Sequence, residues 1–309
     1  MRNTFVSGLE KLAENEERLF LMTGDLGFGV LDGFAQKFPE RFINAGISEQ
    51  NMAAVAAGIA LEGNIVYTYS IGNFPTMRCL EQIRNDICYH NANVKIVSVG
   101  AGLSYGQLGM SHHATEDIAI MRALPNMKVF SPADPQEATS ILKEVHQLSG
   151  PAYIRLGKGR EQNNHADMPV DNVYAAQKIK DGSDGCIFTT GAILSEVIKA
   201  VNELEKKGIL IGVYSILTIK PIDKLTIQHC GKQYKWIFTV EEHNVIGGLG
   251  SAVAEVLAEM PDNCACLSRI GMLDQYSSIV GSHDYLRDYY GLSAQKIVDR
   301  IMRVMRIKI

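Results

Sequence analysis

The chain has 309 residues, of which 46% are hydrophobic and 21% are charged, a composition typical of a folded protein with a large core. Its formal net charge of −4 offers no basic surface to nucleic acid or to an acidic membrane. No apolar run reaches the roughly 18 residues that span a bilayer, and the first residues lack the apolar segment of a signal peptide. We therefore expect a cytoplasmic protein with six free thiols and with no nucleic-acid or membrane partner.

Short apolar strands alternate with amphipathic helices in the first half of the chain. Strands are predicted at residues 18–22 and 94–99, and each runs into a glycine-containing turn, at 24–27 and at 100–109. This alternation is typical of a parallel sheet that is covered by helices on both faces. Ligands of such sheets bind in loops beyond the carboxyl ends of the strands. We assign residues 1–160 to this first domain.

The second half repeats the alternation after a polar, unpatterned stretch. Residues 161–183 are predicted to be a linker, because they lack any apolar period. Strands at 186–190 and 209–214 flank a helix near 193–206 whose apolar residues recur at three- and four-residue spacing. The predicted fold class is α/β, with two doubly wound domains in series, the second covering residues 184–309.

The most informative residue is Glu49, which begins an otherwise apolar helix of small residues that carries no further charge until Glu62. A buried carboxylate is costly unless it has a partner, and as a neutral acid it can donate a hydrogen bond. A ring nitrogen of a cofactor would be such a partner. The alternative is a purely structural role, in which Ser48 caps the helix and Glu49 lies near the positive end of the helix dipole.

Several motifs occur in the order and at the spacing that one enzyme family has. The chain resembles the C-terminal two-thirds of a transketolase, or of the related 1-deoxyxylulose-5-phosphate synthase, over essentially its whole length. That portion comprises a pyrimidine-binding domain, which binds part of thiamine diphosphate, and a transketolase C-terminal domain. The motifs are Thr23-Gly24-Asp25-Leu26-Gly27, Gly46-Ile47-Ser48-Glu49-Gln50, the Phe74 segment, Ser111-His112-His113, Leu124-Pro125-Asn126-Met127, Ser131-Pro132-Ala133-Asp134 and Val240-Glu241-Glu242-His243-Asn244.

The resemblance implies a cofactor site in the first domain. In the family, the glutamate at the position of Glu49 binds the aminopyrimidine ring of thiamine diphosphate, and an aromatic residue at the position of Phe74 stacks on that ring. Asp25 lies in a turn that lines the cofactor cleft, although a role in stabilising the turn itself is equally compatible with the pattern. For Phe74 the alternative is ordinary core packing.

The resemblance also implies a substrate site. His112 matches a histidine of the substrate channel, where an imidazole polarises a carbonyl or moves a proton. The adjacent His113 is expected to point elsewhere, and a purely structural role at the start of a helix is the alternative for His112. Arg155 and Lys158 fall where relatives bind a substrate phosphate, whereas surface ion pairs are the alternative for both.

Two departures from the family qualify these expectations. Leu108 replaces an acidic residue that contacts sugar hydroxyls in relatives, so the identity of the sugar stays open. The chain also lacks the diphosphate-binding domain with its Gly-Asp-Gly…Asn signature for Mg²⁺ or Ca²⁺. We therefore expect a partner subunit that supplies this domain and most of the metal ligands, an α2β2 assembly, and no turnover by this chain alone.

Three other functions are compatible with parts of the sequence. The beta subunit of a 2-oxo acid dehydrogenase also has Ile-Ser-Glu before a small-residue helix, although residues 51–54 and 111–127 are closer to transketolase. A non-catalytic nucleotide-binding or regulatory module is suggested by the glycines at 247–250, but these lack the Gly-x-Gly-x-x-Gly spacing. A scaffolding paralogue is disfavoured by the presence of Glu49 and Phe74.

Overall fold

The chain folds around two mainly parallel β-sheets. The computed structural model describes residues 1–159, 161, 163, 170–261 and 265–306. None of the helices in these ranges is both long and apolar enough to cross a membrane.

The first sheet has seven strands: β1 Leu19–Thr23, β2 Phe42–Asn44, β3 Ile65–Ile71, β4 Val94–Val99, β5 Lys128–Phe130, β6 Ala152–Leu156 and β10 Thr218–Lys220. Their order across the sheet is β10-β5-β6-β4-β3-β1-β2, and all neighbours are parallel except β10 and β5.

Helices cover both faces of this sheet. Their bounds are α1 Arg2–Ala13, α2 Asp32–Lys37, α3 Glu49–Leu61, α4 Leu80–Gln82, α5 Asp117–Ala123 and α6 Pro135–Gln147, and α4 continues into a π-helix at Ile83–Cys88. Successive side chains of the strands enter two different apolar clusters, because side chains of a strand alternate between the faces of the sheet. Leu21 and Tyr67 lie in one cluster, and Met22 and Val66 lie in the other.

The second sheet has five strands: β7 Gln177–Lys180, β8 Gly185–Thr190, β9 Ile211–Ser215, β11 Trp236–Asn244 and β12 Cys266–Met272. Their order across the sheet is β12-β11-β8-β9-β7, with only β7 antiparallel to its neighbour. The helices are α7 Leu194–Glu205, α8 Lys224–Gln233, α9 Leu249–Ala258, α10 His283–Tyr289 and α11 Ala294–Met305. The predicted α/β class with two doubly wound domains is therefore confirmed.

Two strands differ from the sequence prediction. Strand β7 lies within residues 161–183, so this predicted linker is not irregular throughout, and its residues 162 and 164–169 lie outside the described ones. Strand β10 belongs to the second half of the chain but pairs with β5 at the edge of the first sheet. One apolar cluster accordingly contains residues of both halves, for example Met121 and Ile219.

Candidate active site

Four loops meet at one edge of the first sheet. They follow β2, β1, β3 and β4, which are neighbours in the sheet, and each begins at the carboxyl end of its strand. The glycine turns at 24–27 and 100–109 are in two of these loops, as predicted. A parallel sheet concentrates side chains from distant parts of the chain at this edge, which is where its ligands bind.

Glu49 lies at the start of α3, directly after the loop that follows β2, and it is only 2% exposed. A methyl group on Gly24 would come within 3.2 Å of Cγ of Glu49, so the backbone after β1 packs against this side chain. The helix is not capped as the structural alternative assumed, because the hydroxyl of Ser48 donates to the carbonyl of Ala45. The Glu49 carboxylate is therefore held in the interior, facing the loop after β3.

The partner of Glu49 within the chain is Arg78, which the sequence analysis did not identify. Nη1 of Arg78 donates to Oε2 of Glu49 over 2.7 Å. The same guanidinium lies over the ring of Phe74, with its carbon 4.2 Å from the ring centroid. Arg78 and Glu49 are 29 positions apart in the sequence and are brought together only by the fold, so no local pattern indicated the pair.

Phe74 and His112 form the next part of the site. Their ring centroids are 5.2 Å apart and the rings are steeply inclined, an edge-to-face arrangement. Nδ1 of His112 lies 3.0 Å from the hydroxyl of Ser111. Partial burial, and then the nearby charge of Arg78, lower the pKa of His112, which favours a neutral imidazole near pH 7. The adjacent His113 is buried in the interior instead.

Lys158 and Tyr105 extend the site away from Glu49. Nζ of Lys158 lies 4.6 Å from the centroid of the Tyr105 ring, and that ring lies 6.3 Å from the ring of His112. Lys158 is exposed, so its ammonium group is accessible to a ligand. A row of side chains thus runs from a buried carboxylate through packed aromatic rings to an exposed cation.

Asp25 lies in the turn after β1, and its hydrogen bonds are made to Asn44. Its amide donates to Oδ1 of Asn44, and Nδ2 of Asn44 donates back to Oδ1 of Asp25. Its φ of 54° places it in the left-handed region, which aspartate tolerates in turns. These hydrogen bonds connect the turn after β1 to the end of β2, and the turn carries Gly24 against Glu49.

Arg155 was predicted to lie at a substrate phosphate, and the structure contradicts this prediction. It lies on β6 and is 2% exposed. Its Nε donates to Oδ2 of Asp117, and its Nη2 donates to the carbonyls of Ala114 and Glu242. Both faces of a parallel sheet are covered, so a central strand leaves an arginine no route to solvent. In this structure Arg155 connects the two domains and is not available to a substrate.

The loop after β4 is anchored by the second domain. Oε1 of Glu242 accepts a hydrogen bond from the amide of Leu103 over 2.7 Å, and a methyl group on Gly102 would collide with that oxygen. Arg287 donates to the other oxygen of Glu242, and His283 contacts Oε1. Burial opposes ionisation, but the charges of Arg287 and His283 hold the pKa of Glu242 well below its usual range. The second domain thereby fixes the loop that carries Tyr105.

Leu108 is 54% exposed on a short 3₁₀ turn that closely precedes the turn containing His112. Its apolar side chain offers no hydrogen bond to a sugar hydroxyl, in keeping with the departure seen in the sequence.

Within the described ranges, no three His, Cys, Asp or Glu side chains are arranged to hold a metal ion.

Comparison with known proteins connects this geometry with one family. Residues 1–162 match the model of the transketolase pyrimidine binding domain, and residues 174–297 match that of the transketolase C-terminal domain. A putative transketolase C-terminal section of Methanocaldococcus jannaschii is 38% identical over 99% of this chain and 96% of its own length. An apulose-4-phosphate transketolase subunit of Actinobacillus succinogenes is 35% identical over 86% of this chain and 85% of its own length.

The architecture agrees with the sequence matches. A solved structure described as a split gene transketolase, inactive beta4 tetramer, superimposes with a TM-score of 0.87 at 35% identity, covering 100% of this chain and 98% of that one. This chain therefore shares both domains and their arrangement with a transketolase chain of nearly the same length. The chain belongs to the transketolase family.

Proposed function

We propose that this chain is the subunit of a thiamine-diphosphate-dependent transketolase that binds the pyrimidine end of the cofactor. The enzyme would transfer a two-carbon ketol unit from a ketose, or a ketose phosphate, to an aldose. The single observation that carries the proposal is the pairing of a buried carboxylate, Glu49, with a stacking ring, Phe74, at the carboxyl edge of a transketolase pyrimidine domain.

Glu49 and Phe74 lie so that one planar group that carries nitrogen can contact both of them, as Arg78 does. The guanidinium of Arg78 is planar, and in this position it makes a hydrogen bond with the carboxylate and a stacking contact with Phe74 at once. An aminopyrimidine ring is also planar and can make the same two types of contact. When bound, thiamine diphosphate supplies the electron sink that carbon–carbon cleavage requires.

The residues of this chain would perform distinct tasks around the cofactor. Glu49 would hold a proton against a ring nitrogen, which a carboxyl group in a desolvated site can do. Phe74 would fix the plane of the ring. His112, neutral near pH 7, would donate to or accept from the substrate beside the reacting carbonyl.

Lys158 would bind an anionic end of the substrate, because its exposed ammonium lies at the far end of the row from Glu49. The relative named for apulose-4-phosphate makes a phosphorylated ketose the first donor to test. Leu108 in place of an acid favours a sugar that presents fewer hydroxyl groups to this turn.

A second polypeptide would complete the site. A diphosphate needs a divalent cation and backbone donors to offset its charge, and the described side chains of this chain form no cluster that could hold such a cation. Relatives are named as a C-terminal section and as a transketolase subunit, and the beta4 tetramer is described as inactive. Exposed Phe28 and Ile47, in loops of the same sheet edge, offer apolar surface to a partner in an α2β2 assembly.

The test is reconstitution with the polypeptide that carries the diphosphate-binding domain, Mg²⁺ and thiamine diphosphate. We expect ketol transfer from a ketose phosphate by the mixture, none by this chain alone, and a loss of at least about 100-fold in kcat with Glu49→Ala. Gln50→Ala, an exposed neighbour on the same helix, is the matched control and should retain activity. Undiminished transfer by Glu49→Ala would refute the proposal, and pyruvate serving as the only donor would indicate a 2-oxo acid decarboxylase.

A further inference from the structure

Arg78 makes, with its one guanidinium, the two contacts that the proposed function assigns to the cofactor ring. Its Nη1 donates to Oε2 of Glu49 over 2.7 Å, and its carbon lies 4.2 Å from the centroid of the Phe74 ring. These are the hydrogen-bonding and stacking positions of a pyrimidine. The inference rests on that function and adds a step that precedes cofactor binding.

The two occupants exclude each other for reasons of space and of hydrogen-bond chemistry. One face of Phe74 cannot stack on a guanidinium and on a pyrimidine at the same time. A guanidinium has only donors, so Glu49 must accept from it, whereas a ring nitrogen with a lone pair needs Glu49 to donate. The carboxyl group therefore changes both its partner and its hydrogen-bonding role when one occupant replaces the other.

We propose that Arg78 is a built-in placeholder, which fills the pyrimidine site of the cofactor-free chain by pairing with Glu49 and stacking on Phe74, and which must swing out before thiamine diphosphate can bind. In the cofactor-free chain, Arg78 stabilises the buried carboxylate of Glu49, which would otherwise lack a charged partner. Its departure adds to the free energy that cofactor binding must supply.

The surroundings of the two residues show which of them can move. Glu49 is 2% exposed and is confined by the backbone at Gly24, so it stays in place. The Arg78 side chain is 42% exposed and belongs to a 3₁₀ turn at Met77–Cys79. Within the described part of the chain its guanidinium makes no other hydrogen bond than that to Glu49. A long side chain held at its tip, with open solvent beside it, can leave without a rearrangement of the backbone.

The contact also reaches the substrate side of the site. The charge of Arg78 is one of the causes that lower the pKa of His112, and His112 packs edge-to-face on the ring that Arg78 covers. Withdrawal of Arg78 would uncover the Phe74 ring and remove a positive charge from beside the imidazole. Arg78 is thus coupled to both the cofactor part and the substrate part of the site.

The experiment measures the Kd of thiamine diphosphate, in saturating Mg²⁺, by calorimetry on the complex of this chain with its partner subunit. We expect Arg78→Ala to lower the Kd about tenfold, which corresponds to about 1.4 kcal/mol. Arg78→Lys, which keeps the charge but not the planar fork, should give a smaller decrease. Arg84→Ala removes an arginine of the following π-helix and should leave the Kd unchanged.

A second measurement follows Arg78 in the wild-type chain, bound to its partner subunit. The Nε–H resonance of Arg78, assigned by its loss in Arg78→Lys, should shift to that of a solvated arginine as the cofactor saturates the complex. A Kd that is unchanged or raised in Arg78→Ala, or an Nε–H signal that stays in place at saturation, overturns the inference alone. Absence of thiamine diphosphate binding in the wild type and in every variant overturns the proposed function, and the inference with it.

Discussion

Oε1 of Glu242, on the second domain, accepts a hydrogen bond from the amide of Leu103, which lies 139 positions earlier in the loop after β4. This bond makes the second domain a structural part of the site, because the same loop carries Tyr105 and leads to the turn of His112. The carboxylate is buried and depends on Arg287 and His283 for its charge balance.

Glu242→Gln is expected to lower the free energy of unfolding by about 3 kcal/mol at pH 7, because it leaves the Arg287 guanidinium buried without its charged partner. The folded pKa of Glu242 is below its unfolded value, so its contribution is fully present above about pH 4.5 and is lost as the pH falls further. Urea unfolding of the wild type and of Glu242→Gln between about pH 3 and pH 7 measures this effect. The difference between their free energies of unfolding should become smaller in acid. Glu255→Gln, which breaks an exposed pair with Arg122, should change stability by less than about 1 kcal/mol, and a similar loss for both variants would contradict the assignment.

Lys158 and Arg155 are two cations close together in the sequence that differ in their surroundings. Lys158 is exposed, whereas Arg155 is buried in an ion pair with Asp117. Lys158→Gln should raise KM for a phosphorylated donor about tenfold with little change in stability, since it removes one charge-assisted contact. Arg155→Gln should instead lower the free energy of unfolding by about 3–5 kcal/mol. Steady-state kinetics and urea titration of both variants separate the two roles. An unchanged KM in Lys158→Gln would remove it from the substrate site.

Phe74→Leu should weaken thiamine diphosphate binding by roughly 2- to 10-fold, because a leucine keeps the apolar volume but loses the stacking contribution of about 0.5–1.5 kcal/mol. Calorimetry on the complex with the partner subunit measures the change. Tyr89→Leu replaces an exposed aromatic residue whose ring contacts only His90 among the described rings, and it should leave the Kd as it is. Equal affinities for wild type and Phe74→Leu would assign Phe74 to core packing.

His112 should titrate below its ordinary value near 6.5, because burial and the charge of Arg78 both disfavour the imidazolium. Proton NMR of the ring signals measures the midpoint, and Arg78→Gln should move it upward by removing one of the two causes. His112→Asn should also lower kcat/KM by about 100-fold or more if the ring takes part in proton transfer. A midpoint above about 6.5, or full activity in the variant, would count against this role.

The sequence predicted the parts of the molecule that local patterns determine. Short apolar runs predicted β1 and β4, and the three- and four-residue spacing of apolar residues predicted α7, each within one or two residues of the observed bounds. The motif around Glu49 placed a carboxylate at a helix start, and the helix does begin there. Sites built from one such motif at a time can be recognised without a structure.

Local sequence patterns did not predict the contacts between segments that are far apart in the chain. Arg78 meets Glu49 only because the fold brings the loop after β3 to the start of α3, and nothing in Met77-Arg78-Cys79 indicates this partner. Arg155 shows a signal that was available but not used. It lies between Ile154 and Leu156 in a parallel strand with both faces covered, where an arginine must be buried and paired.

The pairing of β10 with β5 affects where the chain can be truncated. A fragment that stops after β6 would leave the hydrogen-bonding groups of β5 without the neighbour that covers them. An uncovered edge of that kind recruits other chains and leads to aggregation. The first half therefore depends on the second for solubility, and truncation between them should yield insoluble material from the first half even though its sequence encodes nearly a whole sheet.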